Sequence, residues 1–204
     1  MALPHRPTTL AALAAATLLA GCASSLNYTP PATPVTPEGG SGWTDKPGWA
    51  THKFAVAAAN PLATDAGYQV LKAGGSALDA AIAVQMVLTL VEPQSSGIGG
   101  GAFLLHAAGG DVTAWDGRET APAAVDDKLF LGADGKPLPF HDGVVGGRSV
   151  GVPGTVRMLE QAHRQHGRLA WAELFKPAIV LAEQGFAVSP RLHTLLKNEQ
   201  HLKK

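Results

Sequence analysis

The feature of the sequence that most suggests chemistry is a glycine-rich stretch at residues 91–105, VEPQSSGIGGGAFLL, in which four of the five residues from 97 to 101 are glycine. Such a loop can cradle a phosphate, because the backbone N–H groups at a helix N-terminus hold an anion. A phosphate loop has a strand before it, a helix after it and usually a lysine. Here a predicted helix precedes the glycines, an apolar strand follows them, and the GxGxxG spacing is missing. We therefore predict no nucleotide site, but a strand packed tightly against another layer, with its backbone exposed near a site.

Arg118 is the leading candidate for ligand binding. It lies in the stretch DGRETAP, residues 116–122. A guanidinium group can grip a planar carboxylate through two parallel N–H···O bonds. The residues alone leave two other roles open for Arg118, a structural ion pair with Glu119 and a solvated loop charge.

The other polar residues do not predict a site. Ser95 and Ser96 precede the glycines, and packing at the helix end is their expected role. We expect the helical pair His163 and His166 to be solvated. No metal-ligand spacing with a suitable set of partners is found for four histidines: His52, His106, His163 and His166. We therefore expect no metal site among these histidines.

Residues 1–22 have the features of an export signal. The apolar run AALAAATLLA is too short to span a bilayer, and small residues follow it. The sequence Leu-Ala-Gly-Cys ending at Cys22, the only cysteine, resembles a bacterial lipobox, in which the cysteine is acylated and becomes the new N-terminus. Acylation would anchor the protein to a membrane, and Ala23 after Cys22 points to the outer membrane, facing the periplasm. The alternative is an ordinary signal peptide with an incidental cysteine.

Composition divides the rest of the chain into a tether and a globular part. Residues 23–48 are rich in Pro, Thr and Gly, and we expect them to bury little surface. Residues 49–204 are long enough for one domain. The 16 basic and 16 acidic residues form no basic patch, which argues against nucleic acid as a partner.

The globular part is predicted to be α+β, without regular βαβ alternation. We predict a strand at residues 51–59, a helix that begins at Asn60-Pro61, and a second, mostly buried helix capped by Ser76 and Asp79. A hairpin follows, with strands at 102–107 and 112–116. Three more helices are predicted: one that ends at Gly167, one over residues 171–184 that is interrupted or bent at Pro177, and one that begins at Ser189-Pro190.

Three segments of the chain carry a family resemblance. They are NPLATDAGYQVLKAGGSALDAAIAVQMVLTLVEPQSSGIGGGAFLL, WDGRETAPAA, and VGVPGTVRMLEQAHRQHGRLAWAELFKPAIVLAEQGFAVSPRL. Over residues 52–193 the chain resembles the N-terminal half of the large subunit of a γ-glutamyltransferase. The pair VEPxSSGIGGG and DxRExAP is specific to that family. The resemblance implies an N-terminal nucleophile hydrolase-like, four-layer αββα sandwich, only partly present in this chain.

The resemblance also implies a reaction. Members of this family are zymogens that cleave themselves, so that a threonine becomes the first residue of a small subunit. Its hydroxyl attacks a γ-glutamyl amide, usually of glutathione, with its own amine as the base. Water, an amino acid or a peptide then resolves the acyl-enzyme, without a metal or an organic cofactor.

For this chain the resemblance implies one binding residue and no catalytic residue. Arg118 matches the family arginine that binds the α-carboxylate of the γ-glutamyl group, and Glu119 is expected to orient it. The nucleophilic threonine lies beyond Lys204 in a full-length relative, so we expect a fragment that is inactive without a small subunit or a missing C-terminal half. We assign strand, loop and helix-cap roles to three threonines: Thr113, Thr120 and Thr155.

Two other functions stay open. A related acylase would cleave glutaryl-type amides or poly-glutamate, and Arg118 cannot distinguish these substrates from γ-glutamyl ones. An inactive lipoprotein remnant could retain the carboxylate-binding group. For any of these we expect residues 49–204 alone to be poorly soluble or molten, because half of the sandwich exposes a sheet face and an edge.

Overall fold

The computed structural model describes residues 25–32, 48 and 50–201. Cys22, the predicted export signal and most of the predicted tether lie outside these residues. The described residues form six α-helices and one two-stranded sheet. In chain order they are α1 (Pro61–Lys72), α2 (Ala77–Val91), β1 (Ala102–Ala108), β2 (Asp111–Gly117), α3 (Phe140–Val144), α4 (Thr155–His166), α5 (Lys176–Gln184) and α6 (Pro190–Asn198). No helix among them is long and apolar enough to cross a membrane.

Local capping signals set the ends of the first two helices. The Asn60 side chain accepts a hydrogen bond of 3.0 Å from the N–H of Leu62, and Pro61 occupies the first helical position of α1. At the start of α2, Ser76 accepts from the N–H of Asp79 at 3.1 Å, and Asp79 accepts from the N–H of Ser76 at 2.8 Å. Each bond satisfies an N–H group that the helix leaves without a partner. Both predicted helix starts, including the capping box with Asp in place of Glu, are confirmed.

Helix α2 lies at the centre of the packing. It contacts α1, α4, α5 and the 3-10 turn Trp171–Phe175. Eight of its fifteen residues are buried, which confirms the mostly buried helix that the apolar sequence predicts. Its side chains meet Val70 of α1, Leu159 of α4 and Leu174 of the turn in one cluster. Burial of this central helix therefore joins the helices into one core.

The predicted hairpin is confirmed, with slightly longer strands. Strands β1 and β2 pair antiparallel, and the connecting Gly109 and Gly110 have φ angles of 63° and 93°. A two-residue hairpin turn with positive φ at both positions strongly favours glycine. One face of the hairpin packs Leu104 and Trp115 against the core, whereas Phe103 on the opposite face is exposed.

The structure corrects two of the predicted elements. Residues 51–59 form no strand: the segment has the alternating burial of one, but it pairs with no strand among the described residues. Alternation predicts which side chains face inward, but a strand also needs a hydrogen-bonding neighbour. The helix predicted at 171–184, with an interruption or bend at Pro177, is a 3-10 turn followed by α5, which begins just before Pro177. The predicted interruption is confirmed, and the part before it is a 3-10 turn instead of an α-helix. Proline is tolerated there, because the first N–H groups of a helix have no internal partner.

A short arm, residues 25–32, packs against the domain. Leu26 is only 4% exposed and joins the core around α2, and Tyr28 is also buried. The Leu26 N–H donates to Glu173 Oε2 over 2.6 Å, and Lys176 Nζ donates to the same oxygen over 2.7 Å. These two bonds hold the pKa of the Glu173 carboxyl below its ordinary value, with the Lys176 bond as the larger cause. Residues 25–32 lie in the predicted tether, but they pack against the domain because the side chains of Leu26 and Tyr28 are buried in its core.

The arm is also fastened to α1. Gln69 exchanges two hydrogen bonds with the backbone of Thr29, accepting from its N–H at 3.2 Å and donating to its carbonyl at 2.7 Å. Burial, and secondarily the nearby carboxylate of Asp65, raise the pKa of Tyr28 to about 12. Both apolar and polar contacts therefore hold the arm against the domain.

Candidate functional site

The candidate site is the loop that follows β2, where Arg118 lies. The chain bends there because the N–H of Arg118 donates to Asp116 Oδ1 over 2.9 Å, a local turn that aspartate favours. Arg118 Nη2 lies 3.2 Å from Glu119 Oε1. The Arg118 side chain remains 64% exposed, against 30% for Glu119. The guanidinium group is thus oriented by its neighbour and open to solvent.

This geometry allows Arg118 to bind an anion. An exposed ion pair is worth only about 0–1 kcal/mol, so the Glu119 contact does not prevent a second partner. The planar guanidinium offers five N–H donors, enough for a carboxylate as well as for Glu119. The two roles that the sequence left as alternatives, ion pairing and ligand binding, are therefore compatible in this loop.

Two glycines enclose the backbone at Arg118 and Glu119. A Cβ atom added at Gly101 would lie 2.5 Å from the N of Glu119 and 2.7 Å from the Cα of Arg118. A Cβ atom added at Gly154 would lie 2.7 Å from the carbonyl carbon of Gly117 and 2.8 Å from the Arg118 carbonyl oxygen. All four distances are shorter than a Cβ atom tolerates. Only glycine fits at these two positions, which agrees with the close backbone packing predicted for the glycine-rich stretch.

The glycine-rich stretch is fastened to the start of α4. The Gly100 carbonyl oxygen accepts from the N–H groups of Gly154 and Thr155, at 3.1 and 3.3 Å, and from Thr155 Oγ1 at 3.0 Å. The first N–H groups of α4 are thus occupied by a backbone carbonyl of the glycine-rich stretch. In this structure the stretch packs on a helix N-terminus.

A pair of backbone hydrogen bonds joins the end of this loop to the segment just before α4. Thr120 and Val152 exchange two backbone hydrogen bonds, of 3.3 and 2.8 Å. Thr120 therefore has the loop role predicted for it, and Thr113 lies exposed on β2 within the hairpin. Thr155 differs from the prediction: the N-cap of α4 is Gly154, and the Thr155 side chain donates to a distant carbonyl instead of capping its own helix.

The serines before the glycines have structural contacts. The N–H groups of Ser95 and Ser96 both donate to the Glu92 carbonyl over 3.0 Å, and Gln85 Nε2 donates to Ser96 Oγ over 2.8 Å. These bonds fold the QSS segment into a turn on the end of α2. The geometry agrees with the expected packing role.

A buried carboxylate beneath this turn was not foreseen from the sequence. Glu92 is buried; its Oε1 accepts from Asn60 Nδ2 at 3.1 Å, its Oε2 accepts from Gln94, and Arg191 Nη1 lies 3.9 Å from that second oxygen. A buried carboxylate needs such partners, because an unpaired charge is costly to desolvate. Glu92 thus joins the starts of α1 and α6 to the end of α2. The sequence indicated only a helix end at the Glu-Pro pair.

The expectation that His163 and His166 are solvated is wrong. His163 Nε2 lies 2.9 Å from the Leu169 carbonyl oxygen and 3.4 Å from Asp79 Oδ1. His166 stacks on His106 of β1, with ring centroids 4.0 Å apart. The hairpin packs on α4, a contact between distant segments that no local pattern in the sequence indicates. Within the described residues, no three His, Cys, Asp or Glu side chains are arranged to hold a metal ion.

Comparison with known proteins gives consistent matches. The family model described as Gamma-glutamyltranspeptidase matches residues 63–204. The glutathione hydrolase proenzyme of Bacillus subtilis is 44% identical over 147 residues, which are 71% of this chain and 25% of that protein. The chain therefore spans about a quarter of the length of this curated relative.

Solved structures match as well. The γ-glutamyltranspeptidase of Helicobacter pylori superposes with a TM-score of 0.71 at 38% identity, over 78% of this chain and 46% of that one. A cephalosporin acylase from Bacillus halodurans matches with a TM-score of 0.59 at 38% identity, over 66% of this chain and 24% of that one. At 38% sequence identity, each of these matches supports more than a shared fold.

Proposed function

Because the chain belongs to the γ-glutamyltranspeptidase family, we propose that the complete protein transfers or hydrolyses γ-glutamyl groups, with glutathione as a donor. The structural matches confirm the predicted fold class, α+β and part of the N-terminal nucleophile hydrolase sandwich. The chain contributes the side of the site that binds the acyl group. Its activity requires polypeptide beyond these residues, since the relatives are about four times as long as the matched region.

The observation that carries this proposal is the exposed guanidinium of Arg118. It is held by Glu119 at 3.2 Å, on a backbone that two glycines enclose, and yet 64% of the side chain is open. A fork of N–H donors in a fixed position selects a planar carboxylate and orients the group attached to it. The α-carboxylate of a γ-glutamyl group is such a ligand.

The proposed reaction has two steps. The hydroxyl oxygen of a threonine supplied by the missing polypeptide forms a bond to the γ-carbonyl carbon, and the C–N bond of the amide breaks. The amine leaves with the proton that the threonine hydroxyl loses, and a glutamyl ester remains. Water or an acceptor amine then attacks the ester carbonyl and releases the threonine. Arg118 holds the α-carboxylate through both steps, so that the same carbonyl stays in place.

The placement of the protein is part of the same proposal. Acylation at Cys22 would anchor an exported protein to the outer membrane, where the substrate would be periplasmic glutathione. The proenzyme names of the relatives support a precursor that yields a small catalytic subunit.

A second candidate keeps the fold and changes the acyl group. The similarity to a cephalosporin acylase supports an acylase as the second candidate, and the glutaryl-type amides considered above would be its substrates. Arg118 suits both substrates. A glutaryl anilide and a γ-glutamyl anilide, compared on the same enzyme, separate the two functions: a preference for the glutaryl compound would favour the acylase.

The test measures release of a chromogenic amine from a γ-glutamyl anilide by the complete enzyme. Arg118→Ala is expected to lower kcat/KM by about 30-fold or more, because loss of one member of a desolvated charge pair costs at least about 2 kcal/mol. Arg118→Lys should recover little of this loss, since an ammonium group lacks the planar fork. Arg164→Ala is the matched control, because Arg164 is similarly exposed and lies on α4.

Two outcomes would contradict the proposal. The first is unchanged turnover in the Arg118→Ala variant. The second is turnover by residues 23–204 alone that disappears in Arg118→Ala, since it would place a nucleophile within this chain. The lack of any turnover by the complete enzyme would favour an inactive, carboxylate-binding protein.

A further inference from the structure

We propose that Thr155 is a positioning residue for Arg118, acting through the glycine-rich stretch. Its hydroxyl holds the Gly100 carbonyl, and the adjoining Gly101 packs against the backbone of Arg118. The inference rests on the proposed function of Arg118 and adds the residue that fixes where the guanidinium lies.

The contact between Thr155 and Gly100 is long-range and shielded from water. The two residues are 55 positions apart, Thr155 is 1% exposed, and its Oγ1 lies 3.0 Å from the Gly100 oxygen. The same oxygen also accepts from the N–H groups of Gly154 and Thr155 at 3.1 and 3.3 Å, so the hydroxyl is the one side-chain donor among the three that hold it. The hydroxyl therefore contributes strongly to where the carbonyl lies.

The hydroxyl has no competing role in capping α4. A threonine at a helix start usually serves as the N-cap and accepts from the helix's own N–H groups. Here the N-cap is Gly154, which has no side chain to accept a hydrogen bond, and Thr155 follows it as the first helical residue. Its hydroxyl donates away from the helix. A helix-capping function does not explain this geometry, whereas a link between the glycine-rich stretch and α4 does.

The link reaches Arg118 through direct packing. Gly101 approaches the Arg118 Cα and the Glu119 N so closely that a Cβ there would lie 2.7 and 2.5 Å away. From the other side, Gly154 approaches the Arg118 carbonyl oxygen. A shift of the Gly100 carbonyl therefore also moves the adjoining Gly101, which packs directly against the Arg118 backbone. Displacement by about 1 Å can cost about 100-fold in rate when a group positions substrate.

The test compares two substrates on the complete enzyme. One is a γ-glutamyl anilide, and the other is 4-aminobutyryl anilide, which lacks only the α-carboxylate. Thr155→Val keeps the shape and removes the hydroxyl, and we expect it to reduce the preference for the first substrate by about tenfold, mainly through KM. Thr155→Ser keeps the hydroxyl and should retain the preference.

The ratio of the two activities separates positioning from mere stability. A loss of folded enzyme lowers both activities equally and leaves the ratio unchanged. Ser189→Ala is the matched control, because Ser189 is also a buried hydroxyl at a helix start, and it accepts from the N–H of Leu192 at 3.0 Å. A Thr155→Val enzyme with an unchanged ratio would overturn the proposal.

A second pair of variants tests the same link from the glycine side. Gly101→Ala should reduce the substrate ratio, because the new methyl group collides with Arg118 and Glu119. Gly99→Ala should leave the ratio as it is, because no atom lies within 4 Å of a Cβ at that position. Equal ratios in the two variants would also overturn the proposal.

Arg118→Ala distinguishes this inference from the function on which it rests. If Arg118→Ala leaves the substrate ratio intact, the proposed function fails. If Arg118→Ala abolishes the ratio while Thr155→Val and Gly101→Ala keep it, only the positioning role fails.

Discussion

The backbone N–H of Leu26 donates to the carboxylate of Glu173 over 2.6 Å, across 147 residues of the chain. The bond joins the arm at residues 25–32 to the turn that precedes α5. Beside it, the Leu26 side chain enters the core around α2. The arm thus belongs to the folded domain, although its composition is that of a linker.

We predict that Leu26→Ala destabilises the protein substantially. Leu26 is 4% exposed, and removal of a buried leucine side chain costs roughly 2–5 kcal/mol of unfolding free energy. Leu195→Ala is the matched control, because Leu195 is 46% exposed and should change the free energy by about 0.5 kcal/mol or less. Urea unfolding of the protein from residue 23 onward measures both. Equal midpoints for the two variants would mean that the arm is not docked in solution.

Acid should release the arm. Hydrogen bonds from Lys176 and from the Leu26 N–H lower the pKa of Glu173 below 4.5. A carboxyl with a lowered folded-state pKa contributes stability that is complete above its unfolded pKa and is lost as pH falls through the folded value. We therefore expect the arm to stay docked at neutral pH and to loosen as the pH falls below 4.5, the ordinary pKa of a glutamate carboxyl. Amide exchange at Leu26, expressed as protection relative to the free peptide, follows this change.

Glu173→Gln is the control for the acid prediction. The amide keeps an oxygen that can accept from Leu26, but it has no titrating proton in this range. Its arm should show weaker protection at pH 7 and little further loss down to pH 3. The same steep acid loss in Glu173→Gln would assign the effect to a different group.

Local signals made much of this fold predictable. Asn60-Pro61, the pair Ser76 and Asp79, and Gly109-Gly110 each fix an element end through contacts within a few residues of sequence. Such contacts depend only on the residue types and their spacing. The same holds for Arg118 as a candidate, because its motif is continuous in the sequence.

Contacts between distant segments were not predictable in this way. The bond from Thr155 to Gly100, the burial of Glu92, and the stacking of His166 on His106 each depend on which elements become neighbours. Residues 51–59 show the same limit, because their alternation predicted an inward face but could not supply a partner strand. Arg118 could be proposed from the sequence because its motif is continuous. The residues that pack around it, Gly154 and Thr155, could not, because they are distant from it in the sequence.

Asp79 makes both a local contact, within its capping box, and long-range contacts, and a substitution can test the two together. Its Oδ2 accepts from the N–H of Ser76 within the capping box, and also from the N–H groups of Arg168 and Leu169 at 2.9 and 3.1 Å. We predict that Asp79→Ala costs about 2 kcal/mol or more, because it removes a capping bond worth about 1 kcal/mol and leaves the buried N–H of Leu169 without a partner, which costs about 1–3 kcal/mol. Asp134→Ala is the control: Asp134 is exposed, accepts from the N–H of Lys136, and pairs with Lys136 Nζ at 4.0 Å on the protein surface. Urea unfolding should separate the two variants clearly, and a cost for Asp79→Ala near that of an ordinary N-cap, about 1 kcal/mol, would contradict the long-range contacts.

The outer face of the hairpin should limit the solubility of residues 49–204 when they are produced alone. Phe103, Leu105 and Val112 share this face and are each about two-thirds exposed or more. Contiguous exposed apolar surface on a sheet promotes association. We predict that Leu105→Lys, at a position 73% exposed, increases the monomeric fraction in gel filtration at a fixed concentration. Leu195→Lys adds the same charge on α6, at a position 46% exposed, and should change that fraction much less.

In the complete enzyme, where the fold predicts that a second sheet covers this face, Leu105→Lys should instead lower stability, because it buries an unpaired charge. A monodisperse wild-type chain with a cooperative thermal transition would show that the exposed face is no liability, and Leu105→Lys would then have no association to suppress.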